Sequence, residues 1–133
     1  MALTKGKSIL VIAPNLIAES LSLKLTSLDN KLKISIDASN KEFFPDLIIW
    51  NVLNYESADL IRIEFLKLKE IWTESKFLII FSGDFNREMK SIPQLTSEGL
   101  LLNPSADKVL QALNNINEGG RVFDIDQQPF NRN

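Results

Sequence analysis

Short apolar runs alternate with longer amphipathic stretches along this chain, and that alternation limits its possible folds more than any other feature. The runs have strand length and are rich in leucine and β-branched residues. The stretches between them place apolar residues three or four apart, as one face of a helix does. Strands that alternate with helices favour a parallel sheet covered through right-handed crossovers. We expect strands at residues 8–12, 32–36, 47–50, 77–81 and 99–102.

Three helices follow from the same pattern. The spacing predicts helices over residues 15–28 and 56–74, and a last helix that begins after an N-cap at Ser105 and ends before Gly119. The second crossover has only ten residues, 37–46, so it has room for one or two helical turns. The fourth crossover contains Pro93, which interrupts a helix.

These elements predict an α/β fold of one domain. We expect a flavodoxin-like, doubly wound, five-stranded parallel sheet with strand order 2-1-3-4-5, a shortened second helix and an irregular fourth crossover. The 133 residues fit one domain over residues 1–123, followed by a tail or linker over 124–133.

Composition excludes several kinds of chemistry. Neither Cys nor His occurs, so thiolate nucleophiles, disulfides, imidazole bases and the metal sites built from these residues are ruled out. The formal net charge is −2, which gives no general attraction to nucleic acid or to an anionic membrane. No run approaches the ~20 apolar residues of a membrane span. We therefore expect a cytoplasmic protein that binds neither nucleic acid nor membrane.

The ends of the strands supply few reactive groups. Open α/β sheets place their sites at the carboxyl ends of the strands. There the sequence offers Asn51, Ser82, Asp84 and Asn103, with no lysine, arginine or histidine. One carboxylate is a poor start for a divalent metal, so we expect no metal, no cofactor and no enzymatic activity.

Four strand motifs, in this order and spacing, resemble those of response-regulator receiver domains. They are ILVIAPN at residues 9–15, PDLIIWNV at 45–52, IIFSG at 79–83 and GLLLNP at 99–104. GGRVF at 119–123 is similar to the segment after the last helix in one branch of that family. The resemblance runs from about residue 8 to residue 123.

The resemblance implies a receiver that has lost its phosphorylation chemistry. The family holds Mg²⁺ with two acidic residues after strand one, where this chain has Ala13 and Pro14. The family's phosphate-accepting aspartate corresponds to Asn51. An amide does not accept a phosphoryl group in the way that a carboxylate does, so we interpret the chain as a degenerate pseudo-receiver.

The remaining positions of the family's pocket are mixed. The strand-four hydroxyl is kept as Ser82, the aromatic switch residue corresponds to Leu100, and the lysine before the last proline corresponds to Asn103. The resemblance suggests that the peptide bond between Asn103 and Pro104 is cis. We expect Asn51 and Asn103 to hydrogen-bond to each other or to loop backbone.

Two functions remain open from the sequence, with an enzyme ranked behind both. The first is a phosphorylation-independent signalling module that binds a protein partner, a second copy of itself or further domains of a longer chain. Its candidate interaction face contains Gln94, Leu95, Asn114 and Asn117. The alternative is a small-ligand sensor that uses the neutral pocket around Asn51, Ser82 and Asn103.

Overall fold

The computed structural model describes residues 8–39, 42–53, 58–82 and 97–124, and within them six strands form one parallel sheet. Across the sheet, neighbouring strands lie in the order β2-β1-β3-β4-β5-β6. The strands are β1 (Ser8–Ile12), β2 (Lys33–Ser35), β3 (Leu47–Leu53), β4 (Lys76–Ser82), β5 (Gly99–Leu102) and β6 (Val122–Asp124). The predicted order 2-1-3-4-5 is confirmed, and β6 extends it by one strand that pairs in parallel with β5.

Three helices lie among the described residues: α1 (Asn15–Leu28), α2 (Ala58–Ile71) and α3 (Ala106–Asn117). The Ser105 side chain caps α3 by accepting a hydrogen bond from the Lys108 backbone N–H at 3.2 Å. Gly119 follows the helix with a φ of 92°, a conformation that favours glycine. Residues 36–39 and 42–46 contain no helix, which agrees with the short second crossover. Pro93 lies outside the described residues.

The two faces of the sheet are covered by different helices. Because side chains alternate along a strand, Ile9, Val11 and Ile49 face α1 and α3, whereas Leu10 and Ile48 face α2. Ile61 and Phe65 bury the inner face of α2, and Phe65 packs edge-on against Phe77 with ring centroids 5.3 Å apart. Burial of these two apolar layers is the main stabilising contribution to the fold.

The strand bounds change the position of one candidate residue. We expected β3 to stop before Asn51, but β3 continues to Leu53, and Asn51 pairs in register with Ile80 of β4. Asn51 therefore belongs to the strand itself. Alternation puts its side chain on the face covered by α1 and α3, the same face as Ile49.

Candidate functional site

Asn51 and Ser82 form a direct polar pair at the carboxyl ends of β3 and β4. Asn51 Nδ2 donates to Ser82 Oγ at 2.7 Å and lies 3.5 Å from the Ile80 carbonyl oxygen. The Ile80 carbonyl can only accept, so it favours the amide orientation in which Nδ2 points toward β4. The Ser82 hydroxyl oxygen therefore already accepts a hydrogen bond from Asn51.

The other end of the Asn51 amide has no such partner. Asn51 is 8% exposed, and its Oδ1, with less than 1 Å² of accessible surface, has no hydrogen-bond partner among the described residues. A buried acceptor without a partner costs about 1–3 kcal/mol relative to a satisfied one. Burial of this oxygen is thus unfavourable for stability.

A cavity of about 490 Å³ lies next to this pair, between α1 and α3. Ligand sites in proteins usually have volumes of ~300–1,000 Å³. Among the described residues that line it, none is acidic, and Lys24 is the one cation. The lining is Leu16, Ile17, Ser20, Leu21 and Lys24 of α1, Asn51, Ile80 and Ser82 of the sheet, and Asn103, Pro104, Ser105, Ala106 and Val109 at the start of α3.

The turn from β5 into α3 shapes one wall of the cavity. Asn103 adopts a φ of 47°, and its backbone N–H donates to the Phe81 carbonyl at 2.8 Å. This left-handed conformation is one that asparagine tolerates better than most residues. The peptide bond between Asn103 and Pro104 is trans, so the cis bond that the resemblance suggested is a wrong prediction. The expected bond between Asn51 and Asn103 is also not formed, because Asn51 is held by β4 instead.

The positions that matched the family's acidic pair carry no carboxylate here. Ala13 is half-buried against the layer under α1 and α3, and Pro14 is the N-cap of α1, where it caps with no side-chain hydrogen bond. The Pro14 carbonyl accepts from the Ala18 N–H at 2.9 Å, so the proline begins the helix. Both residues have a structural explanation.

The remaining predicted residues are not brought together with this pair. Leu100 is fully buried in the layer under α2, on the opposite face of the sheet from Asn51. Asn114 and Asn117 are half-buried on α3. Gln94 and Leu95 lie outside the described residues, as does Asp84.

Sequence reasoning missed the helix side of the cavity. Ser20 and Lys24 of α1 lie four residues apart and so share a helix face, and they line the cavity with Leu21. That i, i+4 pair of polar residues was the available signal. It could not be assigned to a cavity without knowing that α1 and α3 pack against each other.

The described residues offer no metal centre and no membrane span. They contain no group of three or more Asp or Glu side chains placed to hold a metal ion. No described helix combines the length and the apolar character needed to cross a bilayer. Mg²⁺ prefers several oxygen ligands with carboxylates among them, whereas the pair supplies only the Asn51 amide oxygen and the Ser82 hydroxyl. These residues do not fit the magnesium that the resemblance would imply.

Solved structures with the same architecture identify the fold. A LuxR family DNA-binding response regulator from Silicibacter pomeroyi aligns with a TM-score of 0.61 and 15% identity, over 88% of this chain and 95% of that chain. The isolated REC domain of RcsB from Salmonella enterica serovar Typhimurium, solved with the phosphomimetic BeF3−, gives 0.67 and 10% identity, over 91% and 95%. The signal receiver domain of the putative response regulator NarL from Mycobacterium tuberculosis gives 0.57 and 15%, over 86% and 98%.

The chain has the fold of a receiver domain. At 10–15% identity the likeness establishes the fold and leaves the function to the site. No protein-family model and no curated protein matches the sequence.

Proposed function

We propose that this protein is a phosphorylation-independent pseudo-receiver, a signalling or regulatory module that acts by binding a protein partner. The observation that carries the proposal is the Asn51–Ser82 pair. By the resemblance, Asn51 corresponds to the family's phosphate-accepting aspartate, and its amide nitrogen donates to the Ser82 hydroxyl oxygen. A cytoplasmic location and the absence of enzymatic activity belong to the same proposal.

The chemistry of the pocket supports this reading. Phosphoryl transfer needs a nucleophile and a metal or cation that neutralises the developing charge. The Asn51 amide is a poor nucleophile, and Ala13 and Pro14 provide no metal ligand. Lys24 is on the outer wall, from α1, while the family's lysine position is Asn103.

A fixed surface follows from the loss of the switch. Leu100 is 0% exposed and packed beneath α2. We expect this aliphatic side chain to stay buried, rather than to alternate between the buried and exposed positions that couple a pocket to a surface. Asn114 and Asn117 of α3 remain candidate contacts for a protein partner, a second copy of this chain or a further domain. We expect the partner to bind without a chemical trigger.

The direct test is phosphorylation. Acetyl phosphate with Mg²⁺ should add no phosphoryl group to the full chain by intact mass, under conditions that modify an active receiver run in parallel. BeF3− with Mg²⁺ should leave the amide spectrum unchanged. Asn51→Asp alone should also stay unmodified, because the metal would still lack ligands at Ala13 and Pro14. A stable adduct on the wild-type chain would refute the proposal.

Partner binding tests the second half of the proposal. Once a partner is isolated, Ser82→Ala should leave its affinity within about twofold, because the hydroxyl no longer reports a phosphorylation state. Asn114→Arg should weaken binding by more than about tenfold if Asn114 lies near the centre of the interface. The reverse result, loss with Ser82→Ala and none with Asn114→Arg, would place the working surface at the strand ends.

A further inference from the structure

The cavity between α1 and α3 has the features of a small-molecule site rather than of a packing defect. Its inner end is polar, with the half-buried Ser82 hydroxyl and the buried Asn51 amide side by side. Its walls are apolar, from Ile17, Leu21 and Val109 among others. A mainly apolar cavity with a few convergent polar groups is typical of ligand sites.

Two hydrogen-bonding capacities at the inner end are unused by the described residues. Asn51 Oδ1 is an acceptor without a partner, and the Ser82 hydroxyl, which accepts from Asn51, has no acceptor for its own proton. A hydroxyl group on a ligand can satisfy both, because it donates and accepts at once. Less than 1 Å² of Oδ1 is accessible, so a ligand hydroxyl can reach it only if the Asn51 side chain rotates toward the cavity.

The outer end of the cavity favours a negatively charged group. Lys24 lines the mouth and forms no salt bridge with a described residue. Ser105 and Ala106 bring the N-terminal turn of α3 to the same wall, where backbone N–H groups and the helix dipole favour negative charge. Asp107 lines a separate depression with Lys24 and is not among the residues that line the cavity.

We propose that this cavity binds a small hydroxylated carboxylic acid. Its hydroxyl lies against Asn51 and Ser82, its apolar body lies between α1 and α3, and its carboxylate lies at the mouth beside Lys24. The chemistry differs from that of a phosphoryl group with Mg²⁺, because the inner end is neutral and the walls are apolar. The inference does not depend on the protein-binding function, since it concerns the isolated chain.

The test uses four probes on the full ¹⁵N-labelled chain, followed by amide shifts. The probes are 4-hydroxybenzoate, benzoate without the hydroxyl, phenol without the carboxylate, and inorganic phosphate with Mg²⁺. We expect 4-hydroxybenzoate to give saturable shifts at Ser82, Ala106 and the Asn51 side-chain amide. Benzoate and phenol should each bind at least about fivefold more weakly, because each lacks one polar contact. Phosphate with Mg²⁺ should give no saturable shift at these residues.

Two variants assign the contact to the site. Asn51→Leu keeps the side-chain volume similar and removes the acceptor, so its affinity for 4-hydroxybenzoate should fall to that of benzoate. Asn30→Leu, at an exposed turn after α1, is the matched control and should bind as the wild type does. The thermal midpoint, raised by a bound ligand, gives a second readout that also shows whether each variant folds.

Three results would overturn the inference. The first is no saturable shift at the cavity with 4-hydroxybenzoate up to about 20 mM, the weak end of measurable binding. The second is equal affinity for 4-hydroxybenzoate and benzoate. The third is unchanged affinity in a folded Asn51→Leu variant. None of these results bears on the phosphorylation test, so the two proposals fail separately.

Discussion

The two ends of the sheet differ in whether their buried polar side chains have hydrogen-bond partners. At the amino ends of the strands, Ser75 Oγ donates to the Pro45 carbonyl at 2.6 Å, and the Phe77 N–H donates to Glu98 Oε1 at 2.8 Å. At the carboxyl ends, Asn51 Oδ1 is the one buried side-chain polar atom without a partner among the described residues. Polar groups at the amino ends thus stabilise the fold, whereas the unpartnered oxygen of Asn51 lowers its stability.

This difference separates satisfied from unsatisfied buried polar groups within one sheet. Buried polar groups in native proteins are nearly always hydrogen-bonded, so an exception needs an explanation. The amino ends conform to that rule with side chains that connect neighbouring strands. The exception occurs at the carboxyl ends, beside a cavity, where sheets of this type place their sites.

The largest effect is expected at the amino end of β5, from Gly99→Ala. A Cβ there would meet Leu78 Cδ1 at 2.7 Å, Ile116 Cδ1 at 3.0 Å and the Val122 carbonyl oxygen at 3.2 Å. We expect a loss of about 2 kcal/mol in the free energy of unfolding from this overpacking, measured by urea denaturation. The double variant with Leu78→Val should recover part of the loss. A variant as stable as the wild type would show that this end is less tightly packed than its contacts indicate.

A smaller loss is expected from Ser75→Ala. Ser75 is 5% exposed, and removing its hydroxyl leaves the buried Pro45 carbonyl without its donor. The free energy of unfolding should fall by about 1.5 kcal/mol. Ser27→Ala, at an exposed position of α1, is the control and should change it little. If the two variants behave alike, the contrast between the ends of the sheet is lost.

The Asn51→Leu substitution should not lower the free energy of unfolding, unlike the two preceding substitutions. Replacing a partly satisfied buried amide by an apolar group of similar size removes the unpartnered acceptor. We expect unchanged stability or a gain of up to about 1 kcal/mol in the same urea experiment. Asn51→Ala, which leaves a void as well, should be less stable than Asn51→Leu. A clear loss with Asn51→Leu would mean that the bond to Ser82 outweighs the orphan oxygen.

The smallest effect concerns Asp37, an exposed carboxylate beyond β2 that accepts two hydrogen bonds from Ser39. The Ser39 hydroxyl, at 2.6 Å, and the Ser39 backbone N–H, at 3.0 Å, donate to Asp37 Oδ1 and hold the pKa of Asp37 below its ordinary value. A carboxyl with a lowered pKa adds stability above its unfolded pKa, and that stability is lost as pH falls through the folded value. Ser39→Ala should raise the pKa of Asp37 in an NMR titration, whereas Ser39→Thr should keep it low. Equal titration of both variants would contradict this account.

The sequence predicted the elements better than it predicted the contacts between them. Helical spacing gave α1 with its observed bounds, because apolar residues at positions 17, 21, 25 and 28 recur three or four residues apart. The strand β6 was missed because three residues, Val122–Asp124, are too few to show a period. The partner of Asn51 was missed because it depends on the register of β3 against β4, which pairs Leu53 with Ser82.

Some of the residues that the sequence grouped in one pocket line a common cavity, and the shape of that cavity was not predicted. Asn51, Ser82 and Asn103 line one cavity, as their places at the strand ends suggested. The volume of that cavity depends on how far apart α1 and α3 pack, which local patterns do not contain. Leu100 was grouped with these residues by resemblance, yet strand alternation puts its side chain on the opposite face.

The edge strand β6 determines at which edge of the sheet Asp124, the last residue that the structure describes, lies. Helix α3 leads the chain from the carboxyl edge of the sheet back to the amino edge, and a five-stranded sheet would release it there. Because β6 runs parallel to β5, with Val122 beside Gly99 and Asp124 beside Leu101, it returns the chain to the carboxyl edge. Asp124 therefore lies toward the same edge of the sheet as Asn51, the edge at which the parallel strands end.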